Sequence, residues 1–356
     1  MPARPRPSRV NSSGQYRMPA EWELHEATWI AWPHNREDWP GKFGPIAWVY
    51  AEIVRNLGRF ERVEIIVNDA ASEKRAQGVL DRANALSERV RFHRWPTDRV
   101  WTRDSGCTFV KNSDQLRAIS WHFNAWAKYS DWRRDEKIGS LMAKAAGVNK
   151  VQAVFDKKRV VFEGGSIDVN GQGTLLTTEE CLLSKIQERN PGMNRSDYEK
   201  VFAEHLGVTN VIWLGSGIAG DDTHGHVDDI TRFVTRDTVV TAVESDPNDA
   251  NYEPLRENIR RLREATDQDG NELAIVELPM TRSIIFKKRR LPASYANFYV
   301  SNGLVLVPVF NDPNDRIALD ALADVFPDRE VVGIYCGDLI WGFGAIHCMT
   351  QQQPSS

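Results

Sequence analysis

Cysteine is scarce in this chain: four of 356 residues (Cys107, Cys181, Cys336 and Cys348), with no CxxC spacing among them. That sparsity argues against a disulfide framework or a thiolate zinc site and fits a reducing cytoplasm. No apolar run approaches the roughly 18 residues that a membrane helix needs. An excess of one charge is also missing: 45 Lys and Arg face 49 Asp and Glu, for a formal net charge of -4. Nothing in that balance advertises binding to nucleic acid or an acidic membrane. The opening stretch MPARPRPSRVNSSGQYR has charge and proline but no apolar h-region, so it does not read as a secretory signal. Residues 1–16 are expected to form a disordered tail, and 17–356 a single catalytic domain. With 41% hydrophobic and 26% charged residues, the composition is that of a soluble globular protein able to bury a sizeable core.

The rest of the chain is ordered by repetition. Apolar residues at Ile46, Tyr50, Ile53 and Leu57 have helical spacing, followed by Gly58 and the strand-like run Val63–Val67. The same order recurs with a helix to Leu86 and a strand from Val90, and with a helix to Ala146 and a strand at Val151–Val154. It recurs again with a helix to Leu206 and a strand at Val211–Leu214. Helices at Leu255–Leu262 and Ile317–Val325 lead into strands at Leu273–Val276 and Val331–Ile334. After most of these strands comes a polar segment beside glycine or a catalytic residue type: RDSG at 103–106, FEGG at 162–165, GHVD at 225–228, and IHC at 346–348. A period of roughly 50–70 residues indicates an α/β propeller-like array with the polar segments converging on one centre.

Those segments supply Asp104, Glu163, His226, Asp228 and Cys348. A buried cysteine is ordinarily a small apolar filler. Cys348, however, follows Gly342 and Gly344, which let a substrate approach the backbone closely, and precedes the polar run TQQQ. The other three cysteines are assigned to packing. His226 and Asp228, two apart, are expected to share one face of a strand, and a histidine beside a thiol can serve as base and acid in turn. Several carboxylates facing one pocket repel one another unless a cation sits between them. A planar guanidinium is such a cation, with donors that match carboxylates two by two. The residues therefore point to a thiol-dependent hydrolase of a guanidino group. Two competing readings use the same chain. One is a metal-dependent hydrolase with His224, His226 and Asp228 as ligands and His347 as a further one. The other is a non-catalytic binding protein.

The stretches MPAEWELHEATWIAWPHN (18–35), WTRDSG (101–106), FNAW (123–126), FEGGSIDVNGQGTLLTTEECLL (162–183), GHVDDITRF (225–233) and IHCMTQQQP (346–354) span nearly the whole chain after the tail. In them the sequence resembles the agmatine deiminase and bacterial-type peptidylarginine deiminase family of guanidino-modifying enzymes. The resemblance implies a five-bladed, pseudo-symmetric α/β propeller (pentein) of ββαβ modules. It also implies Cys348 as nucleophile and His226 as general acid/base. Asp104, Glu163 and Asp228 then bind the guanidinium, and Trp101 packs along the substrate chain. It implies a small guanidino substrate, agmatine ahead of other guanidines or arginyl peptides, with no cofactor and no metal. A cytoplasmic homodimer is a further expectation. Three positions depart from the family pattern: Cys107 where proline is usual after RDxG, WPHNREDW at 32–39 where agmatine-specific members read WPxRxDNW, and Asp229 where asparagine is common. Loops 32–42 and 185–194 are candidates for contacts to the far end of the substrate. Three acids near Cys348 are expected to disfavour its thiolate until a bound cation offsets them.

Overall fold

The computed structural model describes residues 14–356. Of the expected tail, residues 1–13 lie outside the described residues. Tyr16 is already packed: its hydroxyl donates to Gln115 (2.9 Å) and the Arg117 guanidinium covers its ring.

Five sheets repeat one plan among the described residues. In each, a short strand runs antiparallel to a central strand, and a third strand runs parallel to the central one. Thr108–Lys111, Leu116–Ser120 and Asn149–Gln152 form one sheet; Asp168–Val169, Thr174–Thr178 and Asn210–Leu214 form the next. Thr231–Phe233, Thr238–Val243 and Ala274–Pro279 follow, then Tyr299–Ser301, Leu304–Val309 and Glu330–Tyr335. The remaining sheet joins the two ends of the chain. C-terminal Thr350–Pro354 pairs antiparallel with N-terminal His25–Ala31, which pairs parallel with Arg62–Val67, itself parallel to Val90–Arg94. Parallel neighbours need a crossover. The helices Phe43–Leu57, Ala70–Arg82, Ile138–Ala145, Arg195–Leu206, Tyr252–Glu264 and Asp315–Val325 supply one in each case. All six helix–strand pairs read from the sequence are present, although the helix expected to reach about Leu86 ends at Arg82 and the strand expected at Val151–Val154 divides into Asn149–Gln152 and Val154–Phe155. No helix among the described residues is long and apolar enough to cross a membrane.

The central strands are buried on both faces, as in TLLTT (174–178) and LVLVPV (304–309), and this matches their near-continuous β-branched and apolar composition. The helices outside them are stopped by local chemistry. Arg195–Leu206 begins at Asn194, whose side chain accepts from the Asp197 N–H while the Asp197 carboxylate accepts from the Asn194 N–H. It ends at Gly207, which adopts a left-handed conformation (φ +69) with its Cα against the Tyr16 carbonyl. A side chain there meets both the backbone penalty and that carbonyl. Gly207→Ala is therefore expected to lower stability by about 1–3 kcal/mol, read as a shift in the urea midpoint with unchanged m-value.

Candidate active site

Each of the five sheets delivers one polar residue from the turn just before its short antiparallel strand. Asp104 lies in the single helical turn Thr102–Ser105 and Glu163 leads the turn Gly164–Ser166. Asp228 lies in the turn Val227–Asp229, Asn297 precedes Tyr299–Ser301, and Cys348 precedes Thr350–Pro354. His226 and Asp228 are thus not strand neighbours, as their two-residue spacing had suggested. Gly225 takes φ +95, and the Asp221 carboxylate accepts from both the Gly225 N–H (2.6 Å) and the His226 N–H (3.1 Å), turning the chain into a 3-10 turn. The turn still brings the two side chains together, with His226 Nδ1 4.0 Å from Asp228 Oδ1.

All five residues expected from the sequence are buried and most meet around His226. Its Nδ1 is 3.9 Å from Asp104 Oδ1 and its Nε2 3.6 Å from Glu163 Oε2. Gly165 is part of the construction: a Cβ there would come within 2.6 Å of His226 Nδ1 and 3.0 Å of Asp104 Oδ1. The acids are held from outside. Asp104 accepts from Trp126 Nε1 (2.9 Å) and the Gly165 N–H (3.0 Å). Glu163 Oε1 accepts from Arg189 Nε (3.2 Å), a fully buried ion pair. Asp228 Oδ2 accepts from His347 Nδ1 (2.7 Å) and Asn297 Nδ2 (3.3 Å). The inward-facing atoms Glu163 Oε2, Asp228 Oδ1 and both His226 nitrogens are buried without a hydrogen-bond partner. Buried polar groups are rarely left unpaired, so a cluster of them marks a place for a ligand.

Cys348 stands at the floor of a cavity of about 430 Å³ that also exposes Trp101, Asp104, Trp126, Gly342 and Gly344. Of the two glycines read from the sequence, Gly344 packs against both the Trp101 ring and Cys348 Cβ and makes room beside the thiol, whereas Gly342 makes room for Trp39 and Trp101 instead. The thiol accepts from Asn297 Nδ2 (3.1 Å) and points to Asp228 Oδ2 (3.7 Å). The outer wall carries Glu37, Asp38, Asp131 and Asp222, with Arg99 paired to Asp38 (2.7 Å) and Asp131 (3.1 Å). Loop 32–42 therefore contributes to the wall. Loop 185–194 does not line it; Gln187 and Arg189 brace it from behind through the carbonyls of Trp126, Asp222 and Thr223 and through Glu163.

Asn297 escaped the sequence reading. Its amide nitrogen lies within hydrogen-bond distance of Asp229 (3.0 Å) as well as Asp228 and Cys348, and its Oδ1 accepts from the backbone N–H of His347 (3.0 Å) and Cys348 (3.3 Å). The signal was the repeat itself, since Asn297 holds the position that Asp104, Glu163, Asp228 and Cys348 hold in the other sheets. The metal set of His224, His226, Asp228 and His347 is not assembled. His224, at φ +65, turns away to Ser184 (3.0 Å) and Glu180 (3.6 Å), while His347 lies between Asp228 and Glu21. Two other groups, Glu163–Cys181–His226 and Asp228–Asp229–Cys348, bring donor atoms within 4.8 Å of one another. Both are parts of the same buried centre. Cys181, assigned to packing, is thus beside His226, whereas Cys107 packs against Gly139 with its thiol pushed by burial to about 12.

The protonation states follow from this crowding. Burial raises Asp104 to about 6, with His226 lowering it and the charges of Asp228 and Glu163 raising it. Burial also raises Asp229, and Asp228 and Asp221 add to the rise. For His226 burial works downward, but the Asp104 charge, with Cys181 and Glu163, lifts it well above an ordinary imidazole. Cys348 is pushed far up by burial and then by Asp228, Asp229 and Asp104. In the empty site the thiol and the imidazolium both keep their protons.

A model of the Porphyromonas-type peptidyl-arginine deiminase family matches residues 17–354. The chain belongs to that family. Agmatine deiminases of Ectopseudomonas mendocina and Pseudomonas aeruginosa strain LESB58 are 35% and 34% identical to it, over 96% and 98% of both chains. Among solved structures, agmatine deiminase of Enterococcus faecalis superposes with a TM-score of 0.87 at 31% identity, covering 95% of this chain and 96% of that one. The C. jejuni agmatine deiminase gives 0.82 at 27% identity, covering 96% of each. The family resemblance read from the motifs is thereby borne out, and the fold is the mixed α/β fold of these enzymes. A raised thiol with acids on three sides has a direct consequence. Alkylation of Cys348 by iodoacetamide, followed by mass spectrometry against pH, should inflect above the usual thiol range. With guanidinium ion bound and covering the thiol, ionisation is read without alkylation, from the thiolate's ultraviolet absorbance, and should move to lower pH; an unmoved titration would refute substrate-assisted ionisation.

Proposed function

We propose that the chain is an agmatine deiminase, hydrolysing agmatine to N-carbamoylputrescine and ammonia through a covalent adduct on Cys348. The observation that carries this reading is the unpartnered Asp228 Oδ1 close to the Asp104 carboxylate and the Cys348 thiol, both of which line the cavity. A guanidinium supplies the cation and the fork of donors that those oxygens lack. In this reading Asp104 and Asp228 orient the guanidinium carbon over Cys348, and Trp101 lies along the aliphatic chain. Of the outer-wall carboxylates, Asp38 and Asp131 are paired with Arg99 and Asp222 with Lys128 and Arg289, whereas Glu37 has no ion-pair partner among the described residues and suits a substrate whose far end is an ammonium. Asp38 and Glu37 stand where agmatine-specific relatives commonly have asparagine and aspartate, so the acidic character of this segment is kept in another arrangement.

Chemistry on this geometry proceeds in two halves. Substrate brings a positive charge between the acids, and Cys348 passes its proton to solvent, where the departing ammonia takes one up as ammonium. The thiolate adds to the guanidinium carbon, the C–N bond to one terminal nitrogen breaks, and ammonia leaves with a proton from His226. The thiouronium adduct is then attacked by water that passes a proton to His226. The C–S bond breaks as the second proton of that water passes to the sulfur, releasing the neutral ureido product and returning the Cys348 thiol with His226 protonated again. Glu163, anchored by Arg189, keeps His226 charged and oriented. The five sheets are read as blades of a pseudo-symmetric propeller around this centre, in one catalytic domain. A small guanidino amine is its partner, and a homodimer is the assembly the reading favours.

Ammonia release from agmatine, arginine and a blocked arginyl peptide, with Cys348→Ala alongside, tests the reading. Turnover of agmatine, abolished in the variant, is expected; turnover of the peptide alone would move the activity to protein citrullination. The acid limb gives a separate check. Asp104 must be ionised to hold a cation, and its pKa is raised to about 6. Protonation therefore empties the site from below, and kcat/KM for agmatine should fall as pH drops through about 6. Raising the pH through that value should restore it.

A further inference from the structure

Asp228 is a substrate-facing carboxylate with two different sides. Its Oδ1 is buried and unpartnered, while its Oδ2 is tied by His347 Nδ1 at 2.7 Å and Asn297 Nδ2 at 3.3 Å. The other ring nitrogen of His347, Nε2, lies 2.8 Å from Glu21 Oε2. Glu21 is in turn flanked by Arg103 Nη2 (3.2 Å) and Arg232 Nη2 (3.0 Å), and its Oε1 accepts from the Val300 N–H (2.9 Å). The backbone of His347 is fixed too: its N–H donates to Asn297, and its carbonyl accepts from Arg103 Nε at 3.4 Å. An ionised carboxylate only accepts. A ring nitrogen facing such an oxygen at hydrogen-bond distance serves as its donor, so His347 links Glu21 to Asp228.

We infer that His347, seated on Glu21, is a positioning residue that locks one oxygen of Asp228 and leaves the other aimed at the guanidinium. The inference rests on the reading of Asp228 as a guanidinium acceptor. The residue next to the nucleophile in sequence thereby has a separate job from the nucleophile. Cys348 faces the cavity, whereas His347 faces backward into a dry core of Glu21, Arg103 and Arg232, and is only 1% exposed. Without the Nδ1–H donor, Asp228 can rotate or share both oxygens with Asn297 and Cys348, and the binding geometry is lost. Indirect partners of this kind matter because a first-contact group works only when its own orientation is fixed.

The two ring nitrogens can be removed separately. In His347→Asn the amide nitrogen reaches where Nδ1 sits, keeping the donor to Asp228. In His347→Gln it reaches where Nε2 sits, keeping Glu21 and abandoning Asp228. The readout is protection of Cys348 from iodoacetamide by guanidinium ion, with kcat and KM for agmatine measured beside it and thermal melting to confirm folding. A hydrogen bond to a charged group is worth about ten- to a hundredfold. His347→Gln is therefore expected to need about ten- to a hundredfold more guanidinium for half-protection, with KM raised in parallel, while His347→Asn stays within about threefold of the unsubstituted protein. Equal loss in two folded variants, or no loss in either, overturns the positioning role. Failure of guanidinium to protect the unsubstituted chain overturns it as well, together with Asp228 as acceptor. The protection pattern holding in a chain that does not turn over agmatine would sustain the role of His347 and remove the activity instead.

Discussion

Asp104, Glu163, Asp228 and Asp229 are buried together at the centre of the molecule, where water cannot screen them. Such a group is stable only if each negative charge faces a cation or keeps a proton. The structure meets that condition unevenly. Glu163 has Arg189, and Asp228 has His347, with Arg232 and Arg103 one step behind on Glu21. Burial favours the protonated forms of Asp104 and Asp229. Arg189, Arg103 and Arg232 approach from outside, while His226 alone of the described cations stands among the inner oxygens, 3.6–4.0 Å from Asp104, Glu163 and Asp228, so one imidazole among four acids leaves the inner side short of positive charge. The central deficit is shaped for a cation that arrives and leaves.

The fold supports this by giving every site residue its own turn. A residue placed two to five positions before a sheet's short strand sits where the backbone is still free to curve, as the different turns at Thr102–Ser105, Gly164–Ser166 and Val227–Asp229 illustrate. The strand that follows then anchors it. Cys348 owes its place to Thr350–Pro354, the last strand, which closes onto His25–Ala31 at the beginning of the chain. The Trp29 indole donates to Gln353 (3.0 Å) and Thr102 Oγ1 bonds the Met349 carbonyl, so this closure also ties the nucleophile's strand to the turn that carries Asp104. His347, next to Cys348, meets Glu21 through the same closure.

How much of this was legible in the sequence follows from distance along the chain. Helix and strand order could be read because it depends on local apolar spacing, and the reactive types at Asp104, Glu163, His226 and Cys348 stood out because each lay at a repeated place. Turn geometry at His226 was misread as strand because a spacing of two suits either, and only the Asp221 side chain, five residues earlier, decides it. Asn297, in the segment SYANFYV, looks like ordinary core. Its partners lie 50 to 69 residues away, and Glu21 meets His347 across 326 residues. Pairings that long leave no trace in periodicity. His347 was read as an accessory metal ligand because its chemistry was visible while its direction was not.

The same charge arrangement that draws substrate in also favours letting product go. In the proposed reaction, a guanidinium between Asp104 and Asp228 is held by Coulomb attraction in surroundings of low polarity, where such attraction is several times stronger than in water. Hydrolysis replaces it with a neutral ureido group of similar shape. Its hydrogen bonds survive but the ion pairing does not, and the carboxylates regain their mutual repulsion with the product still in place. Relief of that repulsion comes from expelling the product for a new cation, or from taking up a proton at Asp104. Cys348, returned as the thiol to the field of Asp228 and Asp229, keeps its proton as the site empties, so the reactive thiolate exists mainly while a cation is present to use it.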